Sequence, residues 1–386
     1  MTSIERRELR YQRRKAKRLE KKRKSIEKYD NFDKVFTYEN LYRSYIQCRK
    51  GVRWKASTQK YIANSALNIY EVYRQLHDGS FRSHGFYEFD ICERGKARHI
   101  RSVDFSERIV QRCLSDYSLS PVLTRPFIYD NGASIRGKGY SFSVRRLSRH
   151  MQRHIRRHGS DGYVLLFDFS SYFDNISHDL LFHILEREYH DKRIIDLTKH
   201  FISMFGDRGL GLGSQVSQIL ALSAANELDH FVKENLHIKG YGRYMDDGYL
   251  IHEDRNYLVE CLEKIQQKCN ELGLILNVKK THIVPIRRGF TWLKIRYRVT
   301  KSGHIIKRIW KKSVVRMRRK LKRLKRRLNL GKVSLVDIVQ SYRSWRSHAI
   351  GLHAHNTLNR MDALFKELFG VGACVNNSRR IANGYT

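Results

Sequence analysis

Two aspartates, Asp246 and Asp247, stand side by side in the run GYGRYMDDGYLIH, residues 240–252. Like charges this close repel, and each carboxyl stays protonated unless something cationic holds it ionised. Tyrosines and apolar residues flank the pair, and Asp-Gly between two strand-like runs is a hairpin signal. The stretch therefore reads as two strands joined by a tight turn. That turn is either an ordinary polar one or one side of a cation site.

A second carboxylate bears on the choice. In YVLLFDFSSYFDNISHDLL, Asp168 ends the apolar strand-like run 163–167, and the chain then turns into a helix opened by Ser177 and Asp179. A carboxylate at the end of a buried strand is costly unless it is paired or bound to metal. If Asp168 faces the Asp246–Asp247 hairpin, three carboxylates converge, and hard divalent cations with oxygen ligands keep such a group ionised. Two Mg²⁺ ions, with Mn²⁺ as a possible substitute, are the usual solution for in-line displacement at phosphorus by a 3′-hydroxyl.

Charge supplies the partner. The chain of 386 residues carries 76 Lys and Arg against 38 Asp and Glu, a formal net charge of +38. Cationic side chains that neutralise phosphates release condensed counterions, so a surplus of this size points to nucleic acid, ahead of an anionic membrane surface. No run approaches the roughly 18 apolar residues of a spanning helix and none resembles a signal peptide, so no membrane role is expected. Six cysteines (Cys48, Cys92, Cys113, Cys261, Cys269 and Cys374) lack C-x-x-C spacing and read as reduced thiols of a cytoplasmic protein.

Patterning divides the chain into five stretches. Residues 1–34 form a helix-prone basic arm. Residues 35–150 mix helices (ENLYRSYIQCRK, TQKYIANSALNIYEVYRQLHDG) with a strand-turn-strand signal in FYEFDICERGKARHIRSV around Gly95. Residues 151–300 alternate apolar strand runs, among them FTWLKIRY, with amphipathic helices. Residues 301–370 turn helical and very basic, with Val314, Val315, Met317, Leu321 and Leu324 left to pack in KKSVVRMRRKLKRLKRR. Residues 371–386 read as a loose tail. The layout is α+β.

These residues resemble the reverse transcriptases, with motifs in the family's order over most of 36–368. Asp168 followed by Phe173 and Asp174 is similar to motif A, and Tyr244-Met245-Asp246-Asp247 to motif C. LNVKKT, with Asn277, Lys280 and Thr281, resembles motif D, and FTWLKIRY the primer grip. The resemblance implies a right-hand polymerase: fingers at 35–150, a palm with an antiparallel sheet at 151–300, and a helical thumb at 301–370. It implies that Asp168, Asp246 and Asp247, with the Phe169 backbone carbonyl, hold the metals. Lys280 protonates the leaving pyrophosphate, and Phe173 is the steric gate that excludes a 2′-hydroxyl. Lys96 and Arg98, in a K-x-R finger hairpin, clamp the triphosphate, where a planar guanidinium meets phosphate oxygens bidentately. Phe169, Leu212, Gly213 and Gln218 line the nucleotide. Arg136 in NGASIRGKGY, Trp292, and Lys311, Arg318, Arg319 and Lys322 are expected to contact nucleic acid, Arg136 facing template or nucleotide.

Motif B sets the subfamily. GLGLGSQVSQILALSAANELD places Leu212 before Gly213 and Gln218 after the spacer, which resembles the diversity-generating retroelement reverse transcriptases. Other members more often have Gln before that glycine. Gln can hydrogen-bond near the incoming sugar, whereas Leu212 can only pack, so error-prone copying is expected, opposite template adenine as the resemblance implies. Gly211 stands where that subfamily usually has proline. Trp345 and His348 in SYRSWRSHA also resemble its thumb. The alternative is a defence-associated reverse transcriptase that makes DNA from a non-coding RNA or without a conventional template. Expected partners are template RNA, primer or cDNA, dNTPs, a cognate non-coding RNA, and a small basic accessory protein or a second copy, in a bacterial or phage-infected cell.

Overall fold

A computed structural model describes residues 2–93 and 96–372. The turn at Gly95, the side chains of Lys96 and Arg98, and the tail beyond 372 lie outside the described residues. The expected strand-turn-strand is an antiparallel pair, β1 (Phe86–Glu93) with β2 (Lys96–Val103), in register from Phe86 opposite Val103 to Glu93 opposite Lys96.

A four-stranded sheet has the order β4-β5-β3-β6, made of β3 (Tyr163–Asp168), β4 (Gly240–Tyr244), β5 (Asp247–His252) and β6 (His282–Pro285). Val164 through Asp168 are all buried. A strand covered on both faces reads as a continuous apolar run, which is why β3 is legible as a block without alternation. It pairs antiparallel with β6 from Tyr163 opposite Pro285 to Leu166 opposite His282.

FTWLKIRY folds as β7 (Phe290–Trp292) and β8 (Ile295–Val299), and β9 (Ile305–Ile309) completes this second sheet. The β7–β8 turn residues Leu293 and Lys294 both take left-handed φ, 46° and 63°. That is the twist a two-residue hairpin demands, met here without glycine. Along β8, Ile295, Tyr297 and Val299 are buried while Arg296 and Arg298 are exposed, the two-residue period of a half-covered sheet.

The chain divides into two compact units. The first comprises 1–146, 167–249 and 259–281; the second comprises 147–166, 250–258 and 282 onward. In the first, the basic arm is a 27-residue helix, Ser3–Tyr29, opened by a capping box of Thr2 and Glu5 and exposed along most of its length. The helical stretch expected at 58–79 is two helices, Ala56–Ala63 and Ser65–His77, broken at Asn64 (φ −122°, ψ 36°). Asn competes with helical backbone bonding and favours such junctions.

In the second unit, three helices, Lys311–Asn329, Leu335–Ile350 and His355–Phe369, enclose Met317, Leu321, Leu324, Ile338, Tyr342, Met361, Phe365 and Phe369. Tyr342 stacks on Phe365 at 4.5 Å and donates its hydroxyl to Asp362 at 2.6 Å. Val315, expected in this core, is 37% exposed. Positions 314, 317, 321 and 324 follow the three-four spacing of one helix face, and 315 lies about 100° off it. Among the described residues no helix is long and apolar enough to cross a membrane.

Candidate active site

The β4–β5 connection is tighter than the Asp-Gly signal implies. β4 ends at Tyr244 and β5 begins at Asp247, so the turn consists of Met245 and Asp246, with Met245 at φ 57°. Gly248 is inside β5, not in the turn. A Cβ there would collide with the ring of Phe167 in β3, so this glycine lets the two strands approach closely. The approach brings the Asp246–Asp247 corner to Asp168 at the end of β3.

A left-handed Met is strained and needs support. Arg243 gives it: its Nη1 donates to the Met245 carbonyl at 2.8 Å. Arg243 and Asp229 are both wholly buried and paired bidentately, Nε to Oδ1 at 2.8 Å and Nη2 to Oδ2 at 2.6 Å. Arg243 Nη2 also donates to the Leu222 carbonyl at 3.1 Å, and Tyr241 donates its hydroxyl to Asp229 at 2.6 Å. Burial would strip the Arg243 proton, but Asp229 outweighs it and holds the guanidinium charged. The backbone is anchored too: the Arg243 amide donates to the Asp130 carbonyl and the Gly132 amide to the Arg243 carbonyl. Asp130 in turn is paired with Arg146 and with Lys233.

Asp168 is 6% exposed. Its carbonyl accepts the Asn277 amide at 2.8 Å, and Leu276 bridges Phe169, so LNVKKT is pinned to the end of β3. Lys280 from that loop places Nζ 2.7 and 2.8 Å from the two Asp168 oxygens. Burial lowers the Lys280 proton affinity, yet Asp168, with Asp247 and Asp246 behind it, raises it overall. Asp246 lies above the usual carboxylate range, first through burial and then through Asp168. Asp247 is pushed up to about 7 by burial, by Asp246 and by Asp168, with which it shares a hydrogen bond. Among the described residues the three carboxylates thus meet one ammonium, and two of them are pushed toward the protonated form. An all-oxygen, charge-deficient donor set of this kind fits hard divalent cations, Mg²⁺ or Mn²⁺.

Other expected site residues fare differently. Phe173 is partly exposed, and its carbonyl accepts the Leu210 amide at 2.7 Å, which ties it to the segment carrying Leu212 and Gly213. Gly211 has Phe205 where a Cβ would go, and Phe205 stacks on Phe86 of β1 at 4.9 Å. Gln218 accepts a hydrogen bond from Ser134 at 3.1 Å. Gln218 and Arg136 line one cleft of about 920 Å³. Lys311, Arg318, Arg319 and Lys322 are exposed.

Two assignments need correction. The Phe169 ring is 2% exposed and stacks on Tyr172 at 4.8 Å, so its side chain cannot line a nucleotide. Trp292 is 4% exposed, sharing the covered face of β7 with Phe290, and cannot touch primer with its ring. Asp229, Arg243 and Asp130 were missed. The available signal was a charge inside each of two apolar runs, ALSAANELDH and GYGRYM, which a buried pair explains.

No curated protein sequence matches the chain. Among the solved structures similar in part are two telomerases. The apo telomerase of Candida tropicalis, truncated from its C-terminal domain, is 16% identical with a TM-score of 0.44, over 58% of this chain and 55% of that one. The telomerase of Candida albicans in complex with the TWJ fragment of telomeric RNA is 14% identical with a TM-score of 0.45, over 73% and 54%. The chain spans just over half the length of each. The family model for reverse transcriptase (RNA-dependent DNA polymerase) matches residues 90–297, more than half of the 386. That span runs from β1 through the three aspartates to β8, and the chain belongs to the reverse transcriptases, with their right-hand polymerase fold.

Proposed function

We propose that the protein polymerises DNA from dNTPs on an RNA template, with Asp168, Asp246 and Asp247 holding two Mg²⁺ ions. The observation that carries this is the convergence of three carboxylates on a single ammonium. When bound, the ions lower the pKa of the attacking 3′-hydroxyl and offset charge on the phosphoryl group. Lys280, half-exposed on a long stem, delivers a proton from Nζ to the leaving pyrophosphate oxygen. Phe173 excludes a 2′-hydroxyl, Lys96 and Arg98 hold the triphosphate, and Arg136 with Gln218 lines the nucleotide or template side. Fingers, palm and thumb correspond to 35–150, 151–300 and 301–370.

The finer reading is an error-prone enzyme of a diversity-generating retroelement, working with a cognate RNA and a small basic accessory protein. It rests on Leu212, a side chain without hydrogen-bonding groups beside the nucleotide. Primer extension with Mg²⁺ and dNTPs on an RNA template, every product sequenced, tests both levels. DNA that disappears with Asp246→Ala establishes the polymerase, and errors concentrated at template adenine support the retroelement. Errors spread evenly favour the defence-associated reading instead. Replacing Lys311, Arg318, Arg319 and Lys322 together by Gln is expected to reduce the slope of log affinity against log salt by roughly 3. An unchanged slope removes that helix from the nucleic-acid surface.

A further inference from the structure

We infer that His154, His158 and Glu253 form a binding site for one zinc-like transition-metal ion. None of the three belongs to the aspartate cluster, and the assignment stands whether or not the polymerase reading holds. His150, His154 and His158 recur every four residues on one face of helix Tyr140–His158, and the last two emerge at its C-terminal end. Glu253 follows β5 directly. One ring nitrogen of each histidine and a carboxylate oxygen of Glu253 lie within 4.8 Å of one another. His158 Nε2 is 3.7 Å from Glu253, and the two imidazoles stack at 5.1 Å.

The donor set selects the metal. Two imidazoles and one carboxylate, with a fourth position left for water, suit Zn²⁺ and its neighbours better than Mg²⁺ or Ca²⁺. Tetrahedral coordination at about 2.0–2.1 Å brings ligand atoms to roughly 3.3 Å apart. His158 and Glu253 keep side-chain exposures of 38% and 48%, so rotation of these two closes the difference.

The surroundings fix the ligands as well. The Asp161 carbonyl accepts a hydrogen bond from His154 Nε2 at 2.6 Å, which leaves the Nδ1 lone pair for a metal. Gly162 is part of that clamp: any Cβ there would strike the His154 ring. On the other side, His252 Nδ1 accepts the Asp254 amide at 3.1 Å, and its Nε2 stands 3.7 Å from Glu253. The His154 ring thus has an outer hydrogen-bond partner, the pattern that orients ligands at metal sites. Filled, the site clips the end of this helix to the segment leaving β5.

The test is titration of the chelator-stripped full-length protein with Zn²⁺, and with Co²⁺ as a spectroscopic probe, in excess Mg²⁺. One equivalent is expected to bind, raise the melting temperature, and give the intense visible absorption of four-coordinate Co²⁺. His158→Gln/Glu253→Gln, two exposed positions that leave the fold intact by circular dichroism, is expected to weaken binding at least about tenfold and abolish the absorption. Asp246→Ala/Asp247→Ala is expected to leave both unchanged. Zn²⁺ binding that survives the His158/Glu253 change, or that is lost only with the aspartates, overturns the site, as does wild type that takes up no equivalent.

Discussion

Two clusters of charge flank the same β-turn and are built on opposite terms. Asp229 and Arg243 are fully enclosed, and Asp229 receives the guanidinium bidentately plus the Tyr241 hydroxyl. Asp168, Asp246 and Asp247 have one ammonium among them, and two of the three are driven toward the protonated form. Burial and completeness both distinguish the clusters: the first is wholly enclosed and fully paired, the second partly open and short of positive charge. The satisfied pair holds the Met245 carbonyl and sets the turn, whereas the unsatisfied trio is incomplete by the charge that divalent cations would bring. The neighbouring pair supplies the rigidity that lets the trio remain poor in counter-charge without rearranging.

The sharpest way to break the comparison is to make the satisfied cluster unsatisfied. Arg243→Met leaves Asp229 buried without its partner, and a loss of about 3–5 kcal/mol in urea unfolding is expected. Adding Asp229→Leu should return most of that, because an apolar pair of similar volume avoids the desolvation cost of ions. Polymerisation should not return with it, since Met245 still lacks its donor. Recovery of activity in the double variant would mean that the pair is merely structural.

A smaller perturbation tests how the two strands bring the trio together. Gly248→Ala puts a methyl into the Phe167 ring, and overpacking of this kind costs about 1–3 kcal/mol. Because the strain falls between β5 and β3, divalent-cation affinity should drop as well, measured by Mn²⁺ titration. Phe167→Leu in the same chain should restore both. Stability restored without affinity would show that strand spacing does not set the aspartate geometry.

Much of this was legible in the sequence, for definite reasons. Asp168 was readable because a charge ending a continuous apolar run has few bland explanations, and the Asp-Asp corner because strands flank it. Lys280 came from a motif, and its bidentate grip on Asp168 could not, because spacing does not reveal which of several charges a lysine meets. Gly248 was misread as part of the turn: glycine serves both turns and close approaches, and only Phe167, about eighty residues away, tells which. Trp292 and Phe169 were overassigned since an aromatic in a strand run reads as core or ligand alike. For Trp292 alternation already favoured core, with Phe290 two residues before it on the same face. Asp229 and Arg243 were invisible as a pair because each became intelligible only once the other was placed.

The mildest test concerns the proton that stands in for missing charge. Folded, Asp247 holds its proton up to pH about 7, whereas in the unfolded chain an Asp loses it near pH ~4. Between those values the folded state binds more protons than the unfolded one, so without divalent cations raising the pH through this window lowers stability. The contribution is fully present below about pH 4 and gone above about 7. Asp247→Asn removes the titrating group: stability in EDTA should lose that slope and, above neutrality, exceed wild type, while polymerisation is lost. For wild type, a cation must displace the proton, so Mn²⁺ affinity should climb with pH and level off above about 7. An affinity flat across that range would mean that Asp247 is already ionised, and that the trio is better compensated by Lys280 than its geometry indicates.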